Sequence, residues 1–374
     1  MPMHKTSAGP LALAYGVLIV YASLYPFDGW RVQGLAPWAF LASPWPQWWT
    51  GFDMAANVAG YAPLGFLIAL ARLRRDPAAG GSGGAMVVSL VAAGTLSFCL
   101  EALQTFLPSR VPSNLDLGLN LAGTVLGALL ASGLERLGLL QRWSRFRRRW
   151  FVDEARGALV LLALWPAGLL FPAPLPLGLG QVLERTQLAL AEWLEYTPFI
   201  DWLPVREPLQ QPLGQGTELV AVALGLLVPC LLAFSIMGAL RGRLALMLLL
   251  LAAGLAASAL SAALSFGPAN AWAWLSLSVQ LGLAGGLALA VLAVWLPRRG
   301  CVALLLPVLV LHLALLNQAP ANAYYSLTLQ AWEQGRFIRF NGLAQWIGWC
   351  WPYAALAYGL LRLSRGDARP RIGA

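Results

Sequence analysis

Runs of about twenty apolar residues recur along the whole chain, and this pattern restricts the fold more than any other feature. Of the 374 residues, 59% are hydrophobic and only 11% are charged, whereas a soluble domain carries about 25% charged residues. A helix of about 20 apolar residues crosses a bilayer core of about 30 Å. We therefore predict an all-α, polytopic integral membrane helical bundle.

The spacing of the apolar runs predicts about ten transmembrane helices. They cover residues 9–25, 53–71, 85–106, 117–137, 156–172, 217–239, 244–265, 271–296, 300–318 and 342–362. With the N-terminus inside, 19 of the 25 lysines and arginines fall in cytoplasmic segments, which leaves 6 outside. Because cytoplasmic loops are rich in basic residues, we place both termini in the cytoplasm.

The net charge of +9 fits the same interpretation, because basic residues anchor cytoplasmic loops of membrane proteins. We expect membrane lipid as a partner and no nucleic acid. The first span could instead be a signal peptide, but its basic region holds only Lys5 and no clean cleavage site follows. All four cysteines fall within or at the ends of spans: Cys99, Cys230, Cys301 and Cys350.

We interpret these cysteines as small apolar residues, not as a disulfide or metal framework. The only histidines are His4 and His312, and no paired Cys/His motif occurs, so we expect no metal and no cofactor. We expect His312, which lies inside the ninth span, to be a hydrogen-bonded interior residue.

Three segments outside the spans are long. Residues 26–52 hold five tryptophans, which prefer the headgroup layer, so we predict a re-entrant or interfacial segment. Within residues 173–216 we predict an interfacial amphipathic helix, with Asp201 and Glu207 facing water. In residues 319–341, Arg336 and Arg339 either anchor the chain at the interface or extend a headgroup site.

A basic run at residues 142–150, RWSRFRRRW, is the best candidate for a boundary between modules. We predict a first transmembrane module at 1–140, a basic cytoplasmic connector at 141–156 and a six-span region at 157–374. The connector would anchor the topology and touch anionic lipid.

Polar side chains cluster at the outer ends of the second, third and fourth spans. On each helix the residues of this cluster share one face. They are Asp53 and Asn57 on the second span, Ser97, Glu101 and Gln104 on the third, and Asp116 and Asn120 on the fourth, where Gly123 and Gly127 continue the same face. Since a short loop joins the third and fourth spans, we expect Glu101, Arg110, Asp116 and Asn120 to converge. Gly123 and Gly127 form a small-xxx-small pair that lets another helix approach closely.

About residues 13–135 resemble the VanZ-like family. The residues that carry the resemblance are Asn57, the PLG sequence at 63–65, Ser97, Glu101, Gln104, Arg110, Asp116, Asn120, Gly123 and Gly127. The chain departs from the family at Ser113, where a second acidic residue is frequent, so a mechanism that needs two aspartates in this loop is not implied. The resemblance implies the bacterial inner membrane, lipid-linked or glycan-containing molecules of the envelope, and a link to teicoplanin resistance or envelope polysaccharide metabolism.

The leading hypothesis is a protein that binds an amphipathic anionic or sugar-bearing ligand at the outer face of the inner membrane. Arg110 would contact an anionic group, while Glu101 and Asp116 would orient the site or hold a cation. The neutral hydrogen bonds would come from Asn57, Gln104 and Asn120.

Structural interpretations of the same residues stay open. Glu101 and Arg110 could form an ion pair that joins the third and fourth spans. Asn57 and Asn120 could cap or connect helices, and Asp53 could cap the second span.

Two other functions also stay open. In the first, the protein is a membrane enzyme that uses Glu101 for proton transfer to a lipid-linked substrate. In the second, it is a transporter or flippase. The sequence decides neither the ligand nor the oligomeric state, and it does not decide whether there is any catalysis.

Overall fold

The computed structural model describes residues 8–25, 27, 29–45, 51–75, 81–152, 154–203, 213–319 and 338–364. The described chain is helical and contains no strand in these ranges. Its α-helices are α1 (Ala8–Leu24), α2 (Gly51–Arg75), α3 (Gly81–Gln104), α4 (Asn114–Arg136), α5 (Leu139–Trp150), α6 (Arg156–Leu169), α7 (Leu183–Leu194), α8 (Gln215–Ile236), α9 (Leu240–Phe266), α10 (Leu277–Ala293), α11 (Arg298–Leu316) and α12 (Ile338–Ser364).

Each of the ten predicted spans falls on one of these helices. Among the described residues, α2, α3, α4, α8, α9 and α11 are long and apolar enough to cross a membrane, and α1, α6 and α10 are shorter apolar helices. The prediction of an all-α, polytopic membrane bundle is confirmed. The total of ten spans stays a prediction.

The chain divides into two compact units, Met1–Phe146 and Arg147–Ala374. The division falls inside α5, within the basic run that we identified in the sequence. The first unit contains the helices α1 to α4, and the second contains α6 to α12.

In the first unit, glycines allow α2 and α4 to pack with their backbones in contact. A Cβ atom on Gly123 would overlap the carbonyl oxygen of Val58, and one on Gly127 would overlap that of Ala62. From the other side, a Cβ atom on Gly65 would overlap the carbonyl oxygen of Thr124. The prediction that Gly123 and Gly127 allow a close helix approach is confirmed, and α2 is the partner helix.

In the second unit, α8 forms the centre and is buried from Ala221 to Ile236. α6, α9, α10 and α11 pack against it, and α12 packs on α6 and α11. The imidazole Nδ1 of His312 lies 3.0 Å from the carbonyl oxygen of Ala221 on α8. The expectation that His312 is a hydrogen-bonded interior residue is confirmed.

α6, which matches the fifth predicted span, ends shortly before residue 172. α6 ends at Leu169 because alternate prolines follow it and cannot continue a helix. Residues 171–180 then fold into the unit as irregular and largely buried backbone. Gly225 on α8 and Gly254 on α9 leave room for the buried side chain and carbonyl of Leu177.

Arg243 is buried in the second unit, whereas we expected the basic residues of the cytoplasmic segments to anchor loops. It is only 5% exposed, because α9 begins at Leu240 and draws its first turn into the unit. Its guanidinium donates to four carbonyl oxygens at 2.6–3.0 Å, those of Phe234, Met237, Val294 and Leu296. These carbonyls lie at the C-terminal ends of α8 and α10, where the helix dipole favours a cation.

Candidate functional site

The turn between α3 and α4 is held by Glu101 and Ser113. The backbone N–H of Ser113 donates to Glu101 Oε2 at 2.9 Å. Ser113 is the N-cap of α4, and its Oγ accepts from the N–H groups of Leu115 at 3.1 Å and Asp116 at 3.4 Å. Glu101 is only 5% exposed, so its carboxylate stabilises the backbone of this turn from inside the unit.

A polar contact joins α2 to α4. Asn57 Nδ2 donates to Asp116 Oδ1 at 2.7 Å, and both residues are half-buried. Asp116 lies in the first turn of α4, where the helix dipole favours a carboxylate. Asp53 lies one turn before Asn57, in the first turn of α2, and is exposed.

A second contact, deeper in the unit, joins α3 to α4. Asn120 Nδ2 donates to Ser97 Oγ at 2.9 Å, and both side chains are buried. Within the described chain, Asn120 Oδ1 is buried and makes no hydrogen bond. The phenol group of Tyr61 on α2 lies beside Ser97 and Glu101, so the three helices meet around these four side chains.

Gln104 and Arg110 are tied to the end of α1. Gln104 Nε2 donates to the carbonyl oxygen of Ser23 at 3.1 Å, and the Arg110 guanidinium donates to that of Tyr25 at 2.7 Å. Both side chains are half-buried. These contacts fix the guanidinium at the same end of the helices as Glu101 and Asn57, which we call the site end.

The segment 29–45 packs over the site end. Its backbone and side chains bond to the end of α3, with Gln33 Nε2 donating to the carbonyl oxygen of Thr105 at 2.8 Å. Asn114, at the start of α4, donates to the carbonyl oxygen of Ser43 at 2.7 Å. The buried ring of Phe40 packs on Phe98 of α3.

The tryptophans of this segment instead point away from the unit. Trp30, Trp38 and Trp45 are exposed, as is typical of aromatic rings at a membrane interface. The interfacial position of residues 26–52 stays a prediction.

The structure therefore brings Asn57, Glu101, Gln104, Arg110, Asp116 and Asn120 to one end of α1 to α4, with Asp53 at the exposed edge of that end. Each of the first six bonds to a neighbouring helix or turn. Asn57, Gln104, Arg110 and Asp116 are half-buried, whereas Glu101 and Asn120 are buried.

Sequence reasoning missed two members of this cluster. Tyr61 follows Asn57 by four residues and so shares its helix face, which is a signal that was present in the sequence. The capping role of Ser113 was visible as well, because an acidic residue follows it by three positions. No comparable signal marks the carbonyl groups of Ser23 and Tyr25.

The remaining candidate residues lie elsewhere. Asp201 is exposed in a short 3-10 helix, Ile200–Trp202. Glu207 and Arg336 lie outside the described residues, as does the side chain of Arg339.

The comparisons with known proteins agree with the sequence resemblance. Residues 7–137 match the family model VanZ/LLP1. The N-terminal third of the chain is therefore a VanZ-like domain in a membrane protein with several apolar helices. No curated protein and no solved structure matches the chain.

Proposed function

We propose that the VanZ-like domain of this membrane protein binds an amphipathic ligand with an anionic or sugar-bearing headgroup. The site end would face the outside of the bacterial inner membrane. A lipid-linked saccharide or a lipoglycopeptide of the teicoplanin type has this chemistry, and the domain would link the protein to glycopeptide resistance or envelope polysaccharide metabolism.

One observation supports this proposal above all: polar side chains from α2, α3, α4 and the turn between α3 and α4 converge at one end of a highly apolar unit. Polar and ionisable groups are costly in a membrane unless they are paired or used. A few placed polar groups within an apolar surround are typical of a ligand site.

Burial divides the cluster into two roles. Asn57, Gln104, Arg110 and Asp116 are half-buried and Asp53 is exposed, so a headgroup can reach them. Glu101 and Asn120 are buried, so in this proposal they hold the helices in place and do not touch the ligand.

Arg110 is the residue we expect to contact an anionic headgroup. A guanidinium matches the geometry of phosphate and carboxylate groups, and the contact with the carbonyl oxygen of Tyr25 fixes its position before a ligand arrives. Fixing a side chain in advance lowers the entropy that binding costs. The exposed rings of Trp30 and Trp38 would contact the apolar part of the ligand.

The test is ligand binding by the full chain in lipid nanodiscs, with teicoplanin and a polyprenyl-phosphate-linked sugar as probes. We expect Arg110→Ala to weaken binding about tenfold or more, because hydrogen bonds to charged groups contribute about 1.5–3 kcal/mol. Arg136→Ala is the matched control, since Arg136 is an exposed arginine at the opposite end of α4. A thermal melt of each variant checks that the fold is kept.

Unchanged affinity for both probes in a folded Arg110→Ala variant would contradict the proposal. The enzyme that uses Glu101 for proton transfer, and the transporter or flippase, remain alternative predictions. Product formation that Glu101→Gln abolishes, while binding survives, would favour the enzyme.

A further inference from the structure

α5 leaves the first unit at the end opposite to the site end. α4 ends at Arg136, and the chain turns at Gly138, whose positive φ of 66° suits glycine. α5 then runs for 12 residues, which is too short to cross a bilayer core. Since α2 and α4 both end here as apolar helices, α5 begins at a membrane boundary.

The part of α5 within the first unit has an exposed apolar face. Leu139, Trp143 and Phe146 are 38%, 54% and 46% exposed, and their spacing of four and three residues places them on one side of the helix. The rings of Trp143 and Phe146 stack with centroids 5.6 Å apart. Large rings exposed at a membrane boundary belong at the level of the lipid headgroups.

Exposed arginines flank this face. Arg142 and Arg145 are both exposed and are spaced to lie one above the other beside the apolar face. A helix with an apolar face that contains Trp or Phe, and with arginines beside it, is typical of helices that lie in the membrane interface.

The end of α2 holds this helix in position and adds to its charge. The guanidinium of Arg74 donates to the carbonyl oxygen of Leu140 at 3.2 Å and to Ser144 Oγ at 3.4 Å. Arg75 follows at the exposed end of α2. The arginines therefore stand together on a fixed backbone.

We propose that Leu139, Arg142, Trp143, Arg145 and Phe146 form a docking surface for anionic lipid headgroups of the membrane. The rings would enter the boundary between headgroups and acyl chains, and the two guanidinium groups would bind lipid phosphates. The positive charge of this surface points to an anionic partner, because each basic side chain near an anionic membrane surface strengthens binding to that surface about fivefold. This surface is independent of the ligand proposed for the site end.

The test uses the full chain in nanodiscs that contain equal parts of phosphatidylglycerol and phosphatidylcholine. Native mass spectrometry measures the ratio of the two lipids that stay bound. We expect the wild type to retain phosphatidylglycerol preferentially and R142E/R145E to lose about tenfold or more of this preference. R142K/R145K keeps the charge and should keep most of the preference.

A second double variant tests the apolar face. W143A/F146A should lower the retention of phosphatidylglycerol. The control R241E/R298E reverses the charge of two exposed arginines elsewhere and should leave the retention near the wild-type value. An equal loss of preference in R241E/R298E would overturn the proposal, because net charge alone would then explain the binding.

A further outcome would assign the surface to a different partner. An acidic polyglutamate peptide is added to nanodiscs of phosphatidylcholine alone. Binding of the peptide that R142E/R145E abolishes, together with no preference for phosphatidylglycerol in the mixed discs, would overturn the lipid proposal in favour of an acidic protein segment.

Discussion

At the scale of single residues, Ser113 does two things at once. Its side chain caps α4, and its backbone N–H binds the buried carboxylate of Glu101. Serine is among the residues that cap helices best. The departure from the VanZ-like pattern at this position therefore keeps a capping side chain and removes a negative charge from the neighbourhood of Glu101 and Asp116.

The cap predicts the effect of Ser113→Ala. We expect it to lower the free energy of unfolding by about 1 kcal/mol, because two N–H groups at the start of α4 lose their acceptor. The measurement is the thermal melting temperature of the full chain in detergent. Ser113→Thr keeps the hydroxyl and serves as the control. Equal melting temperatures for Ser113→Ala and the wild type would show that α4 does not depend on this cap.

At the scale of helices, the contact between α2 and α4 positions the site. Gly123 and Gly127 let the two backbones meet, and the same pair of helices carries the hydrogen bond from Asn57 to Asp116. Small residues at a helix interface permit the close packing that holds membrane helices together. The geometry of the site end therefore depends on glycines that lie deeper in the bundle.

Two glycines of α4 make a matched pair for testing this dependence. A Cβ atom on Gly127 would overlap Ala62 of α2, whereas one on Gly133 meets nothing within 4 Å. We expect Gly127→Ala to destabilise the protein by about 1–3 kcal/mol through overpacking. Gly133→Ala should be neutral or stabilise by up to about 1 kcal/mol, since alanine favours helix.

Thermal melting of both variants, followed by circular dichroism, measures the difference. If Gly127→Ala melts at the same temperature as Gly133→Ala, the close packing of α2 on α4 is not required for stability.

At the scale of the whole molecule, the basic residues predict an orientation. α2 ends in Arg72, Arg74 and Arg75, and α5 carries a further arginine run, so the positive-inside rule places this end in the cytoplasm. The rule then predicts that the site end faces outward. The VanZ-like match, residues 7–137, lies within the first unit, and the second unit is a separate bundle around α8.

Reporter fusions in a bacterial host measure this orientation. Alkaline phosphatase fused after Ser109, at the site end, should be active because the enzyme matures only outside the cytoplasm. Green fluorescent protein fused after Trp150 should fluoresce, since it matures inside. The reversed pattern, or activity of both reporters at one position, would contradict the orientation and the outward site.

The apolar runs by themselves determined the helical membrane fold, because burying a backbone in lipid requires helices of this length. The one-face spacing of Glu101, Asp116 and Asn120 also indicated that these side chains lie at one end of the helices, since helical periodicity is a local property of the chain. The resemblance to the VanZ-like family rested on the same residues and is confirmed for the N-terminal third.

Only the tertiary structure decided which groups meet. Glu101 binds the backbone of Ser113, and Arg110 binds the carbonyl oxygen of Tyr25, because the partners are backbone groups that no residue type marks. The inward fold of residues 171–180 and the burial of Arg243 likewise depend on the neighbouring helices. Local pattern determines helices, whereas contacts between distant segments depend on how those helices pack.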